Sequence, residues 1–322
     1  MTSRQKARDL SRSGTWRLIQ QSSFTAPDNN AGIARIARAS IPQMRVVVAG
    51  ASGLIGSALT RALRERGDAA VALPRFGTAP WSVEGADAVV NLAGASVAAK
   101  RWTPAYKKEI EDSRVLSTRA LVDAIRAAKR KPRVLVNASA VGYYGGRGDE
   151  VLDENAAPGS DFLANLSRQW EAEAQRAPVR AVQVRTGIVL SAKGGALEKM
   201  LPPFKAFVGG PIGSGKQWFP WIHVADEVAA ILWCIDHEVT GPMNLAAPGI
   251  VTMKEFAKAL GHALQRPSWA PVPAAALKIL LGEFASALLE GQRAVPKKLL
   301  DSGFRFRFEE VNAALRDLFP GG

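Results

Sequence analysis

Three glycines, Gly50, Gly53 and Gly56, follow directly on the apolar run Val46-Val47-Val48-Ala49. After them, Ser57-Ala58-Leu59-Thr60-Arg61-Ala62-Leu63-Arg64-Glu65-Arg66-Gly67 reads as an amphipathic helix closed by a glycine. A strand, a tight glycine turn and a helix N-terminus in that order suit the pyrophosphate of a dinucleotide. Small residues let the backbone approach the phosphates, and free N–H groups with the positive end of the helix dipole hold the anion. Gly50, Ala51, Ser52, Gly53, Leu54, Ile55 and Gly56 are therefore the expected phosphate loop. A plain glycine turn is the competing reading, and the strand-to-helix setting favours the cofactor.

From residue 45 to about 190, apolar strand runs alternate with helical periodicity. The expected strands are Arg45–Ala49, Ala69–Leu73, Ala88–Leu92, Arg133–Ala138 and Ala181–Val184, and the expected helices are Leu54–Arg66, Pro104–Lys129 and Phe162–Arg176. Thr103 before Pro104, and Asp161 before Phe162, are helix caps. Strands separated by helices predict an α/β fold with a doubly wound, Rossmann-type parallel sheet. Residues 74–87 are too short and too rich in Gly77, Pro80 and Gly85 for the usual crossover helix. After residue 190, glycine and proline pairs mark loops around short elements. Helices are expected at Val224–Asp236, Met253–Gln265 and Ala274–Leu289. The expected division is a leader over 1–43, a Rossmann-type domain over 44–190 and a smaller, irregular substrate-side domain over 191–322. Some sheet elements are free to return from the second domain to the first.

Composition narrows the classes further. Hydrophobic residues make up 47% of the 322 and charged residues 22%, as in a soluble globular protein. No run approaches the roughly 18 apolar residues of a membrane span, so no membrane partner is expected. Cys234 is the only cysteine. It excludes an internal disulfide, fits a reducing compartment, and sits among apolar neighbours as a buried bystander. The three histidines are far apart, and no metal is expected. The net charge is +13, and seven Lys/Arg against two Asp in residues 1–43 supply part of it. With no basic stripe carrying interleaved aromatics, a nucleic-acid partner is not expected. A basic surface still favours anionic ligands such as a phosphorylated cofactor. The leader itself is open to three readings: an organellar transit peptide, a disordered extension, or a start placed upstream of Met44. The expected location is cytoplasmic, or organellar if the transit reading holds.

Several segments together carry a resemblance: Gly50-x-x-Gly53-x-x-Gly56, Asn91-Leu92-Ala93-Gly94, Ser139-Ala140-Val141-Gly142-Tyr143-Tyr144-Gly145 and Trp221-Ile222-His223-Val224-Ala225-Asp226. They come in the order seen in extended short-chain dehydrogenase/reductases. Lys100-Arg101-Trp102-Thr103, Ser113-Arg114, Arg185-Thr186-Gly187-Ile188-Val189-Leu190, residues 209–215 and Gly291-Gln292-Arg293-Ala294-Val295-Pro296 narrow it. The chain resembles the atypical YfcH-like, 39U-type "epimerase family" subgroup from about Met44 to Phe319, with that subgroup's C-terminal segment of unknown function at 270–319. The resemblance implies NADP(H) as cofactor and an NADP(H)-dependent oxidoreductase or epimerase-like enzyme. The substrate is an unidentified small carbonyl or hydroxyl compound. The alternative is an NADP(H)-binding regulator with little turnover, since some relatives carry a cell-division label and plant members are linked to plastid division. A homodimer is compatible with this reading.

Cofactor choice is read after the second strand, where Pro74-Arg75 offers a guanidinium for a 2′-phosphate in place of the acid that would favour NAD. An exposed surface arginine is the competing reading. Leu92, Ala93 and Gly94 are implied to pass along the adenosine side of the cofactor. Glu109 and Arg114 are implied to reach toward it, although spacing alone fits surface charges as well. Val189 matches a position whose backbone lies near the nicotinamide. The usual catalytic device of the superfamily is Ser with Tyr-x-x-x-Lys. Ser139 stands where the serine belongs, but four residues after Tyr106, Tyr143 and Tyr144 come Ile110, Arg147 and Gly148. With no Tyr-x-x-x-Lys in the chain, Ser139, Tyr143 and Tyr144 are the catalytic candidates, and loop packing competes for both tyrosines. Two look-alikes are set aside. Gly210-Pro211-Ile212-Gly213-Ser214-Gly215-Lys216 lacks the Ser/Thr of a triphosphate loop, and His223 with Asp226 is expected to be structural.

Overall fold

Val47 faces one side of a sheet while Val46 and Val48 face the other, and all three are buried. The computed structural model describes residues 43–321, so the leader expectation lies outside the described residues except at Gln43. The elements are β1 (Arg45–Ala49), α1 (Leu54–Arg66), β2 (Ala69–Ala72), β3 (Ala88–Asn91), α2 (Pro104–Ala127) and β4 (Val134–Ala140). A 3₁₀ turn (Val141–Tyr144), β5 (Val151–Leu152), α3 (Phe162–Gln175), β6 (Arg180–Thr186), β7 (Ile188–Leu190) and α4 (Gly195–Lys205) follow. Then come β8 (Trp218–Phe219), β9 (Trp221–His223), α5 (Val224–Asp236), β10 (Gly241–Leu245), β11 (Val251–Thr252) and α6 (Met253–Ala263). The chain closes with α7 (Ala274–Leu281), α8 (Phe284–Glu290), β12 (Arg293–Ala294), α9 (Lys297–Asp301) and α10 (Val311–Leu318).

The main sheet is six-stranded and parallel throughout, in the order β2-β1-β3-β4-β6-β10. Its last strand comes from residues 241–245, beyond the loops that follow residue 190. One face packs Leu59 and Leu63 of α1 with Ile231 and Ile235 of α5. The other packs Leu121, Val122 and Ile125 of α2 with Ala174 of α3. Fully burying each of these leucine, isoleucine and valine side chains contributes about 1.5–3 kcal/mol. Thr103 and Asp161 cap their helices by accepting from the N–H groups of Tyr106 and Ala164. Between β2 and β3 there is no helix; Trp81 Nε1 instead donates to the Pro74 carbonyl at 2.9 Å. Cys234 is buried, and burial pushes its thiol up to about 12.

One element departs from expectation. The helix read over Ala274–Leu289 breaks at Gly282, whose φ of +62° leaves the helical region and separates α7 from α8. The break sets Phe284 of α8 against Trp102 (ring centroids 5.3 Å apart) and Glu283 against Lys107 at 2.5 Å. A continuous helix follows the apolar pattern, but these contacts to the start of α2 favour a bend at the residue that tolerates it.

Candidate nucleotide site and the polar network beside it

The chain leaves β1 for β2 on one side and returns to β3 on the other, so the order reverses between β1 and β3. A crevice opens at the carboxyl ends of strands at such a reversal. The glycine turn lies there. A Cβ on Gly50 would stand 2.6 Å from the Leu92 carbonyl group, and one on Gly56 would stand 2.1 Å from the Gly50 oxygen. Both distances are shorter than any tolerated contact, so the turn is folded onto itself and onto the end of β3. Gly53 holds the N-cap position of α1 without a side-chain cap, and the first turn of α1 has no acid. Among the described residues, the N–H groups of Ser52, Leu54 and Ile55 find no acceptor. An uncapped N-terminus with free donors is a binding place for an anion.

Facing it, Asn91 fixes the turn that follows β3. Its amide donates to Thr118 Oγ1 (2.9 Å) and Asn137 Oδ1 (2.7 Å), and its oxygen accepts from Ala93 N–H at 3.2 Å. Leu92 and Ala93 are half-buried and Gly94 is exposed. Arg114 on α2 lies against this turn, its guanidinium beside Gly94 and donating to the carbonyls of Ala95 (2.9 Å) and Ile110 (3.1 Å). Burial lowers its pKa to about 10. Among the described residues it has no carboxylate partner, and its planar face lies 5.1 Å from the Trp170 ring centre. Glu109, by contrast, is exposed and 3.7 Å from Lys100. Pro74 and Arg75 are exposed just past β2, with no carboxylate partner for Arg75 among the described residues. Val189 lies in β7, directly paired with Ile222 of β9, and its carbonyl is near Gly195. Leu54 also meets Gly194 and Gly195, so the glycine turn and the start of α4 adjoin.

Ser139 and Tyr144 are brought together, but in the interior. The Ser139 hydroxyl donates to Glu171 Oε1 at 2.6 Å. The same carboxylate receives Arg185 in a two-point pair, Nε at 2.8 Å and Nη2 at 2.9 Å. Arg185 Nη1 donates to the Tyr144 hydroxyl at 3.0 Å and to the Glu154 carbonyl at 3.2 Å. Tyr144 is fully buried, and its hydroxyl donates to Asn244 Oδ1 at 2.7 Å. Burial pushes that hydroxyl up to about 12. Burial works against the charge of Arg185 as well, but the Glu171 partner outweighs it and raises the guanidinium above its ordinary value. As placed, the Ser139 and Tyr144 hydroxyls tie the interior together. Tyr143 differs: it is half-buried, its ring lies 3.5 Å from the Arg185 guanidinium, and its hydroxyl has no partner among the described residues.

Sequence reasoning missed Glu154, Glu171, Arg185 and Asn244. Register sets Ser139, Arg185 and Asn244 abreast on adjacent strands β4, β6 and β10, and Glu171 reaches them from α3 and Glu154 from the turn after β5. Asn91, Asn137 and Gln183 form a second rung two residues earlier. A readable signal existed, namely polar residues at period-two spacing inside apolar strands. Glu227 was also missed. It is fully buried, accepts from Thr186 Oγ1 at 2.8 Å, and burial pushes it up to about 8. The structural reading of His223 and Asp226 is what the contacts support. His223 Nδ1 accepts from Ala225 N–H and caps α5, while the Asp226 carboxylate accepts from the N–H groups of Arg307 and Phe308. Lys216 leads into β8 and not into a helix, unlike a triphosphate loop.

Comparison with known proteins accords with this geometry. A family model described as the NAD dependent epimerase/dehydratase family matches residues 46–246. The chain belongs to that family. A second match, a domain of unknown function named DUF1731, covers residues 272–318 of this family member. The chain is 41% identical over 93% of both lengths to the chloroplastic SDR39U1 homolog of Arabidopsis thaliana, an "epimerase family protein". It is 39% identical over 85% of its length to human SDR39U1, covering 99% of that protein. A crystal structure of human SDR39U1 (isoform 2) with NADPH superposes with a TM-score of 0.83 at 37% identity, covering 86% of this chain and 100% of that one. Among the described residues of this epimerase-family chain, no helix is long and apolar enough to cross a membrane.

Proposed function

We propose that this chain binds NADP(H) and acts as an oxidoreductase or epimerase-like enzyme on a small carbonyl or hydroxyl compound. The uncapped N-terminus of α1, folded against the turn after β3, carries the reading. The residues present fit the cofactor. The free N–H groups of Ser52, Leu54 and Ile55 suit the pyrophosphate, Leu92, Ala93 and Gly94 leave room along the adenosine, and Arg75 suits a 2′-phosphate. Arg114 adds a cation beside Gly94, Val189 offers its backbone at the nicotinamide end, and Glu109 stands at the rim. When bound, the nicotinamide supplies hydride chemistry; the protein's part is to orient it and to exclude water. The NADPH in the human SDR39U1 crystal structure supports this choice for a protein of the same family.

A second reading, an NADP(H)-binding regulator with little turnover, is favoured by the internal bonding of the Ser139 and Tyr144 hydroxyls. Fluorescence titration with NADPH and NADH, followed by an NADPH-oxidation screen over small carbonyls, separates the two. Oxidation with any carbonyl supports the enzyme, and binding without oxidation supports the regulator. Failure to bind either nucleotide sinks both. Arg75→Ala is expected to weaken NADPH by roughly ten- to a hundredfold, the value of a lost charge-assisted contact. NADH is expected to change little, and equal losses contradict the assignment. Location in cytoplasm or organelle turns on residues 1–43, and a fluorescent fusion of that segment reports it.

A further inference from the structure

We infer that Tyr143 is the proton donor of this site, and that Arg185, clamped by Glu171, is the residue that positions it. The inference rests on the NADP(H) reading above. The chain has three tyrosines. Tyr106 is buried, with its hydroxyl donated to the Ser96 carbonyl, and Tyr144 is buried between Arg185 and Asn244. Tyr143 alone keeps a hydroxyl that no described residue engages. It sits in the 3₁₀ turn directly after β4, at the same sheet edge as the glycine turn and the turn after β3, four residues from Ser139.

The surroundings of Tyr143 supply what Tyr-x-x-x-Lys supplies elsewhere, a fixed cation beside a fixed phenol, from different parts of the chain. The Arg185 guanidinium lies 3.5 Å from the Tyr143 ring centre, within cation–π reach. That cation cannot swing away, because Glu171 holds it at two points and the Tyr144 hydroxyl and Glu154 carbonyl take Nη1. Ser139 occupies the remaining side of Glu171 Oε1. The Tyr144 ring packs edge-on against Tyr143 with centroids 5.3 Å apart, and the Tyr143 carbonyl accepts from Gly159 N–H at 2.9 Å. Backbone and ring of Tyr143 are thus both fixed, and the hydroxyl end is free.

The step balances without a further reagent. Reduction of a carbonyl forms a C–H bond with the hydride that NADPH provides, leaving NADP⁺. The electron pair of the C=O π bond takes the Tyr143 hydroxyl proton, and the phenolate recovers a proton from water. A phenol whose ring is fixed by a buried ion pair is positioned in advance, and a positioned proton donor raises a rate by about 10²–10⁴-fold.

The test uses the full chain with and without saturating NADPH. Tetranitromethane treatment and peptide mass spectrometry are expected to find nitration at Tyr143 and not at Tyr106 or Tyr144, suppressed at least fivefold by NADPH. Tyr143→Phe is expected to keep NADPH affinity within twofold and to lose at least a hundredfold in kcat for any carbonyl the wild type reduces. Arg185→Lys, which restores a cation, is expected to retain more kcat than Arg185→Met at similar KM, with circular dichroism confirming that both are folded. If the arginine variants do not fold, nitration and Tyr143→Phe decide alone. Nitration of Tyr143 unchanged by NADPH overturns the inference, as does Tyr143→Phe with wild-type kcat. NADPH binding with no carbonyl reduced by the wild type also overturns it while leaving the cofactor reading standing. Loss of NADPH binding in the wild type removes that reading instead.

Discussion

Gly56 has space for a hydrogen and no more. A methyl there would overlap the Gly50 carbonyl oxygen, which belongs to the backbone and has no rotamer to escape into. Gly56→Ala is therefore expected to destabilise by about 1–3 kcal/mol or to displace the turn, and to weaken NADPH binding in either case. Thermal melting with and without NADPH measures both effects. Glu227 makes a different prediction. Its folded pKa, about 8, lies above the ordinary 4.5 because the carboxyl is fully buried with Thr186 as its one donor among the described residues. Between those two values the folded chain keeps a proton that the unfolded chain has released, so stability attributable to Glu227 is intact below about 4.5 and is lost as pH rises toward 8. Glu227→Gln removes that titration. Its melting temperature relative to wild type is expected to climb from pH 5 to pH 8, by an amount worth about 1 kcal/mol or more. A constant difference across that range refutes the assignment.

At the level of elements, helix ends were well marked in the sequence where a cap or a closing glycine stood. α1 and α5 begin and end as the pattern predicts, because Gly67 at φ +96° closes one and His223 opens the other. The break between α7 and α8 was hidden, since Ala274–Leu289 keeps its apolar periodicity through Gly282. What decides it is tertiary: Trp102, Lys107 and Arg101 await the bend from the far side of the chain. Gly282→Ala places a Cβ at a left-handed φ, 3.2 Å from the Arg101 guanidinium. A cost of about 1–2 kcal/mol is expected, along with faster proteolysis within 274–290 while the sheet stays protected. Limited trypsin digestion followed by mass spectrometry reports it.

For the molecule as a whole, the parallel sheet was legible because each strand announces itself locally, and the glycine turn at the β1–β3 crevice because strand, glycines and helix are adjacent in sequence. The polar network was not. Its strand members, Ser139, Arg185 and Asn244, meet through register, and Tyr144, Glu154 and Glu171 join them from the 3₁₀ turn, a loop and α3, a convergence that no local pattern specifies. Residues from the C-terminal segment finish it. Asn244 Nδ2 donates to the Val295 carbonyl, and Lys298 N–H donates to the Glu154 carboxylate. A charged group in the interior is costly until its partners arrive. During synthesis, Glu154 and Arg185 leave the ribosome well before Val295 and Lys298. The nascent chain therefore holds an incomplete interior until the segment around Val295 and Lys298 has emerged.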